Sequence, residues 1–299
     1  MITVLDLNFL GVEKAIAAFL VETSEGPILI ETGPHSVLPN LEKALAQKGY
    51  ALSDIKHVFL SHIHLDHAGA AWAFAALGAD IYLHPFGAKH LASPAKLMES
   101  ARRIYKEDMD RLWGEMRDIP ADQLKVTAHG QEIVIGDTTL KAWHTPGHAV
   151  HHIAWQIGTH LFTGDVAGCR IDHQMPVAPC PPPDINIEDW KESIQLIRNL
   201  GATKFYLTHF GLIEDIDHHL NLLEHYLDDW ANWIKPRWES GQDPVLVTPQ
   251  FQSYVQQQLL DFGVKPEDLE KYEAANPSWM SVAGLMRYWR KKAEREKTA

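Results

Sequence analysis

Ser61-His62-Ile63-His64-Leu65-Asp66-His67-Ala68-Gly69 puts three imidazoles and a carboxylate within six positions of the chain. Neutral imidazoles and carboxylates are the donors that divalent zinc, iron or manganese take from proteins, and nothing here is soft enough to demand copper or an iron–sulfur cluster. The apolar run Val58-Phe59-Leu60 comes just before and reads as a buried strand. Ala68, Gly69, Ala70 and Ala71 follow and read as a helix start. Along extended backbone His62 and His64 alternate and point the same way, while Asp66 and His67 sit where the chain turns and can face a second centre. An isolated histidine pair is usually solvated or packed, but four such donors this close together read as a metal site.

The motif resembles the His-x-His-x-Asp-His signature of the metallo-β-lactamase superfamily. Three later stretches resemble that family's remaining motifs, in order and each after an apolar or β-branched run. They are Thr145-Pro146-Gly147-His148, Phe162-Thr163-Gly164-Asp165 and Leu207-Thr208-His209. The resemblance spans roughly Ala15 to Gly211, and the combination is specific although each later motif alone is weak. It implies an α/β fold, the four-layer αββα sandwich, with an additional C-terminal helical region. The expected division is a catalytic core over residues 1–211, with a helical insertion at 93–117, and a helical region over 212–299 packed on that core.

By the same resemblance, His62, His64 and His148 hold one metal ion, Asp66, His67 and His209 a second, and Asp165 bridges them. The implied cofactors are two divalent ions, zinc first, with iron or manganese as alternatives. Two such cations sharing a water lower its pKa enough for a bridging hydroxide to exist near neutral pH. That hydroxide attacks an electrophilic centre while Asp66 orients it and takes its proton. His152 matches a second histidine often seen in this motif and reads as support for the ligands. Glu31 stands where many family members have Asp, and it reads equally as a supporting acid or as a turn carboxylate. The other histidines, His57, His84, His90, His144, His218 and His219, read as structural or exposed.

Ligand types separate the branches of the family. The best-known β-lactamases place a cysteine at the second metal, whereas this chain offers Asp165, with Cys169 a few residues later. Asp66 is present as in the glyoxalase II-like, lactonase-like and phosphodiesterase-like branches, yet no glutathione-binding residues can be matched in the tail. The expected activity is therefore binuclear hydrolysis of an ester, thioester or lactone. A phosphodiester or phosphotriester hydrolase on the same site, or an iron-dependent oxidoreductase of the same fold, are the competing readings. A non-catalytic sensor fits less well, because degenerate members usually lose a ligand.

The rest of the chain must position these groups. Ala15 to Thr23 and Pro27 to Glu31 read as a hairpin around Ser24-Glu25-Gly26, followed by an amphipathic helix over Val37 to Lys48. Ser93-Pro94 opens a long predicted helix running to about Arg117 by the cap-then-proline signal. That helix either packs on the sheet or forms a lid, and Tyr105, Met109, Trp113 and Arg170 are the expected pocket residues. The Pro176–Pro183 loop is rigid and lies just after Asp165, which suits a pocket rim. Lys204 to Leu207 is expected to be the last strand. Helices starting at Thr248-Pro249 and Asn276-Pro277 are expected beyond it.

Composition limits the partners. The 299 residues carry a net charge of −12, which disfavours nucleic acid, whose phosphates seek basic surfaces. Two cysteines are too few for a disulfide framework and suit a reducing compartment, so a cytoplasmic protein with a small-molecule substrate is expected. Asp6, Glu13 and Lys14 interrupt the N-terminal apolar residues, so neither a signal peptide nor a membrane span is read there. Ile213, Ile216, Leu220, Leu223, Leu227, Trp230 and Ile234 recur near heptad spacing. Such a seam needs a partner surface, either the protein's own core or, as a lesser reading, a homodimer partner. The basic side and tail of the last helix, with Arg287, Arg290, Lys291, Lys292, Arg295 and Lys297, form either a solvated helix end or a phosphate- or membrane-attracted patch.

Overall fold

The structure is a computed structural model and describes residues 1–298. Its strands form two six-stranded sheets. The first contains β1 (Ile2–Asp6), β2 (Ala17–Thr23), β3 (Gly26–Ile30), β4 (His57–Phe59), β5 (Asp80–Leu83) and β6 (Leu124–Val126), in that order. β1 to β3 form an antiparallel meander, and β3 to β6 run parallel through helical crossovers, as parallel neighbours require. The second sheet holds β7 (Glu132–Ile135), β8 (Thr138–His144), β9 (Ile153–Ile157), β10 (His160–Phe162), β11 (Lys204–Leu207) and β12 (Gly211–Ile213). Within it only β10 and β11 pair in parallel.

Strand β2 shows why the two sheets stack. Its Ala17, Phe19 and Val21 point at the second sheet, where they meet Leu140, Trp155 and Phe162, and Ala18 and Leu20 point at helices on the other side. A strand buried on both faces reads as a continuous apolar run. Phe59 meets Trp155 edge-on at 5.0 Å, and Phe19 meets Phe162 at 5.3 Å. Helices α1 (Leu38–Ala46), α3 (Ala71–Ala76) and α4 (Pro85–Ala92) cover the first sheet, with the short α2 (Leu65–Ala68) at its edge. Helices α7 (Ile187–Arg198), α8 (Ile216–Glu239), α9 (Pro244–Phe262) and α11 (Ser278–Thr298) cover the second. The layers are therefore helix, sheet, sheet, helix.

The predicted single helix over 93–117 is broken. It runs as α5 (Ala95–Tyr105), a tight turn over Lys106–Asp108 and α6 (Met109–Trp113). Lys106 takes a positive φ of 49°, and the polar run Lys106-Glu107-Asp108 supplies no apolar side chain to continue the stripe. Folding back at this turn lets Met109 and Ala101 share one buried cluster with Leu65.

The C-terminal expectation changes in three places. The chain does not end its strands at Leu207, because β12 pairs with β11, so a boundary at 211/212 cuts through the second sheet. α9 starts at Pro244 rather than Thr248, with the Asp243 carboxylate accepting the Val245 N–H at 2.8 Å, and Pro249 lies inside the helix. A further helix, α10 (Leu269–Ala275), was not predicted from the sequence, nor was β1. The apolar seam of α8 is buried in this chain's own core. Leu220, Leu223, Leu227, Trp230 and Ile234 belong to the same cluster as Ala154 and Leu161 of the second sheet. Among the described residues no helix is long and apolar enough to cross a membrane.

Candidate metal centre

All seven predicted donors lie beyond the C-terminal ends of β4, β8, β10 and β11, at one end of the two sheets. His62 follows β4, His64 precedes the first turn of α2, and Asp66 and His67 lie within that turn. His148 follows β8, Asp165 follows β10, and His209 sits between β11 and β12. Gly164 next to Asp165 has a φ of 49°, and a Cβ there would come within 2.5 Å of Ser61 and 2.6 Å of His152. The Thr-Gly-Asp turn therefore closes against the first motif only because that residue is glycine.

The ring orientations follow from what each Nδ1 touches. His62 Nδ1 meets Ser61 Oγ at 2.9 Å, and His67 Nδ1 meets Glu31 Oε1 at 3.1 Å. His148 Nδ1 donates to the Pro179 carbonyl at 2.8 Å, and His209 Nδ1 donates to the Ala15 carbonyl at 2.6 Å. Four rings are thus fixed with Nε2 facing a common space, the arrangement that outer hydrogen bonds impose on metal-binding histidines. His64 presents Nδ1 instead, 2.7 Å from His62 Nε2 and 3.0 Å from His148 Nε2. Asp165 divides its carboxylate. Oδ2 lies 3.2 Å from His148 Nε2, and Oδ1 lies 3.3 Å from His67 Nε2 and 3.5 Å from His209 Nε2. Asp66 Oδ2 completes the second group, 3.4 Å from His209 Nε2 and 3.6 Å from His67 Nε2.

His67 Nε2, His209 Nε2 and Asp165 Oδ1 are buried without a hydrogen-bond partner. Buried polar atoms are rarely left so, and three that converge on one point fit a cation between them. The set His62, His64 and His148 and the set Asp66, His67 and His209 each gather their donor atoms within 4.8 Å. The residues present therefore fit divalent ions.

Charge supports the same placement. Burial and the neighbouring imidazoles push His62 and His64 well below the ordinary histidine range, and burial lowers His148, so all three are neutral and free to donate a lone pair. Burial opposes protonation of His67 and His209 as well, but the carboxylates of Asp165 and Asp66 outweigh it and raise both. Burial alone would raise Asp66, yet His67 and His209 bring it down to about 2. His152 is buried and pushed well down. Its Nε2 accepts the Asp165 backbone N–H at 3.0 Å, and its other nitrogen meets Thr145 Oγ1 at 2.7 Å. It joins the second and third motifs without entering the donor set. Glu31 lies buried at a φ of 64°, and its carboxylate also accepts the Ser61 N–H at 3.3 Å. Of its two readings the structure supports the one in which it orients a ligand.

A cavity of about 730 Å³ opens above these groups. His64, Asp66, Asp165 and His209 lie in its lining, as do Tyr105 and Trp113. The other two expected pocket residues do not. Met109 is fully buried in the cluster with Leu65 and Ala101. Arg170 is 4% exposed and spends its guanidinium on Asp215, at 2.7 and 3.0 Å, and on the carbonyls of His173 and Gln174. Its carboxylate partner lies 45 residues away, where no local pattern points to it. The Pro-rich loop supplies Pro179, Pro181, Pro182 and Pro183 to the lining. Arg287 and Lys291 of α11 both donate to the Pro183 carbonyl and so fasten the loop, while Lys292 pairs with Glu188 of α7. Sequence reasoning missed Phe9, Leu10, Trp279 and Met280, which also line the cavity. Such residues carry no spacing signal, because packing alone brings them to the site.

Comparison with known proteins agrees with this geometry. A family model described as the metallo-beta-lactamase superfamily matches residues 12–209. A metallo-beta-lactamase fold-containing protein of Sulfurisphaera tokodaii is 27% identical over 166 residues, covering 54% of this chain and 63% of that protein. A lactamase-like protein, nscB, of Aspergillus fumigatus is 27% identical over 213 residues, covering 70% of this chain and 51% of that protein. The chain thus spans about half to two thirds of the length of these relatives. Among solved structures, a metallo-beta-lactamase family protein of Thermus thermophilus superposes with a TM-score of 0.69 at 18% identity. That match covers 98% of this chain and 94% of the other, so the shared fold extends through the C-terminal helices. An archaeal protein of the superfamily from Sulfolobus tokodaii gives a TM-score of 0.60 at 20% identity, covering 74% and 84%. With its four motifs gathered at one end of an αββα sandwich, the chain belongs to the metallo-beta-lactamase superfamily, whose fold binds divalent metal ions and serves mostly hydrolytic enzymes.

Proposed function

We propose that this protein is a hydrolase that uses two divalent metal ions, zinc foremost, to cleave an ester, thioester or lactone. The observation that carries this reading is the divided carboxylate of Asp165, one oxygen facing the group with His148 and the other facing His67 and His209. Two ions at such a site, when bound, polarise a substrate oxygen and lower the pKa of water, so that attack proceeds near neutral pH. The protein's own groups do the rest. Asp66 is the carboxylate of the cluster that opens towards the cavity, with its side chain 23% exposed. His67 and His209 keep it ionised, so it can orient the attacking water and accept its proton. The apolar cavity walls exclude bulk water and position the rest of the substrate.

The test begins with the purified protein, its metals measured by elemental analysis and its activity by a panel of esters, lactones and phosphodiesters. About two metal ions per chain and ester or lactone turnover are expected. Redox-active iron with oxygen consumption and no hydrolysis would sink the reading. Asp165→Ala should lose at least one ion and nearly all activity while circular dichroism stays unchanged. Full metal occupancy in that variant would refute the bridging role.

A further inference from the structure

The cavity above the donors has a division of character that its metal end does not explain. Its floor is the donor cluster, and its charged lining residues Lys106, Glu107 and Asp108 are exposed. Between the two lies apolar surface. One part of it is a row of rings, with Phe9 stacked on Trp113 at 5.6 Å, Trp113 edge-on to Tyr105 at 5.1 Å, and Tyr105 edge-on to Trp279 at 5.6 Å. Several polar side chains within this zone are already paired, although the buried Trp113 indole N–H has no partner. Glu273 accepts the N–H and hydroxyl of Ser278 at 2.9 and 2.7 Å, Asn276 Oδ1 accepts from Ser281 Oγ at 3.1 Å, and the Tyr105 hydroxyl rests on the Met280 thioether at 3.3 Å.

Among the described residues lining the cavity, Lys106 is the one lysine or arginine, against the carboxylates Glu107, Asp108 and Glu273 in addition to Asp66 and Asp165 of the donor cluster. Phosphate-rich groups are held by clusters of Arg and Lys or by helix N-termini; a single lysine among these carboxylates is no such cluster, and at the N-terminus of α11 Glu273 already takes the Ser278 N–H and adds negative charge. A volume of about 730 Å³ is in the range of pockets that enclose most of a drug-sized ligand, so the part of the substrate lying along the wall is sizeable.

We infer that this site takes an uncharged ester, thioester or lactone bearing a bulky apolar group, which lies along the wall made by Phe9, Tyr105, Trp113, Trp279 and Met280. Polyanionic carriers such as coenzyme A or nucleotides are excluded as leaving groups. The inference rests on the hydrolase reading above and narrows its substrate. It also gives the C-terminal helix α11 a direct part in specificity, since Trp279 and Met280 lie outside residues 12–209 matched by the family model.

Two independent readouts test it. The first is binding of N-phenyl-1-naphthylamine, an uncharged fluorophore, to metal-loaded and metal-free protein. The second is kcat/KM for 4-nitrophenyl esters of two-, six- and ten-carbon acids and of naphthoic acid, and for decanoyl-pantetheine against decanoyl-coenzyme A. The fluorophore should bind with or without metal, and kcat/KM should rise about fourfold per added methylene while the chain remains inside the cavity, the factor for burying one CH₂. The decanoyl and naphthoyl arms separate an extended chain from a flat ring as the preferred group. Trp279→Ala should lower fluorophore affinity, and should lower kcat/KM for the larger esters about tenfold more than for the two-carbon ester, with metal content unchanged, and Trp279→Phe should restore most of the loss. Ile104→Glu, at a surface-exposed lining position, should weaken fluorophore binding in the same way if the tryptophan variant fails to fold.

A flat chain-length series without fluorophore binding, in an enzyme that cleaves the two-carbon ester, would overturn the inference while leaving the hydrolase reading intact. Equal turnover of the coenzyme A and pantetheine esters would overturn the exclusion of polyanions. Fluorophore binding that falls in both variants, with no ester cleaved, would keep the apolar site and remove the hydrolase reading.

Discussion

Glu31 shows how one side chain reaches the chemistry without touching it. Its Oε1 holds His67 Nδ1 at 3.1 Å and lies 3.4 Å from Thr208 Oγ1, so it joins the first motif to the last. Glu31→Gln keeps the volume and an oxygen for the Ser61 N–H but removes the charge behind His67. It should lower metal affinity about 10–100-fold, the usual loss for a partner of a metal-binding histidine. Chelator competition would measure this, and unchanged affinity would reduce Glu31 to a structural residue. Asp66→Asn keeps the shape and removes the proton acceptor. kcat should fall about 10²–10⁴-fold, the range for general-base catalysis, with a smaller change in KM. An unchanged kcat across pH would show that Asp66 neither orients water nor takes its proton. The seven donors were legible because each lies in a short motif after an apolar run. Glu31 was ambiguous because its partner His67 lies 36 residues away. Arg170 was misplaced because its charge is consumed by Asp215, which nothing nearby in the chain announces.

Between elements, the closest approach near the site is that of α11 to the Pro-rich loop. A Cβ at Gly284 would stand 1.9 Å from the Cys180 carbonyl oxygen, too near for any side chain. The same loop presents the Pro179 carbonyl to His148 and lines the cavity with Pro181 to Pro183. The helix, the cavity wall and one donor are thus coupled through eight residues of backbone, Pro176 to Pro183. Gly284→Ala should push α11 away, costing about 1–3 kcal/mol of stability as overpacked interiors do, and raise KM for bulky esters. Urea denaturation would read the first effect, and unchanged stability would mean that α11 sits farther out. The strands β2 to β4 and the helix α1 were readable from periodicity. The break at Lys106 was not, because α5 and α6 both keep a helical stripe and only the polar run between them marks the turn. The start of α9 was placed too late because Thr248-Pro249 repeats the cap-then-proline pattern of Asp243-Pro244.

For the whole molecule, the last third of the chain was legible as helices but not as part of the site, since Trp279 reaches the cavity only through packing. The buried histidines set how the complete protein responds to pH. His62, His64, His148 and His152 are held below the ordinary value of 6.5, all four first by burial, and His62, His64 and His152 then by neighbouring imidazoles. Below pH 6.5 the unfolded chain takes up protons that these rings refuse, so stability falls as the pH drops. His67 and His209 act in the opposite sense. The carboxylates of Asp165 and Asp66 raise both despite burial, so their stabilisation is complete below 6.5 and is lost as the pH rises through their raised values. Metal-free protein should therefore have its highest Tm near pH 6.5 and decline on both sides, by about 1.4 kcal/mol per pH unit for each proton separating the two states. Metal ions, if bound by His67 and His209, would replace the protons on them. Loading should release protons near neutral pH and abolish the alkaline decline. Thermal denaturation at pH 5, 6.5 and 8.5, with and without metal, decides this. A metal-free Tm that keeps rising to pH 8.5 would show that His67 and His209 are not held protonated by Asp66 and Asp165.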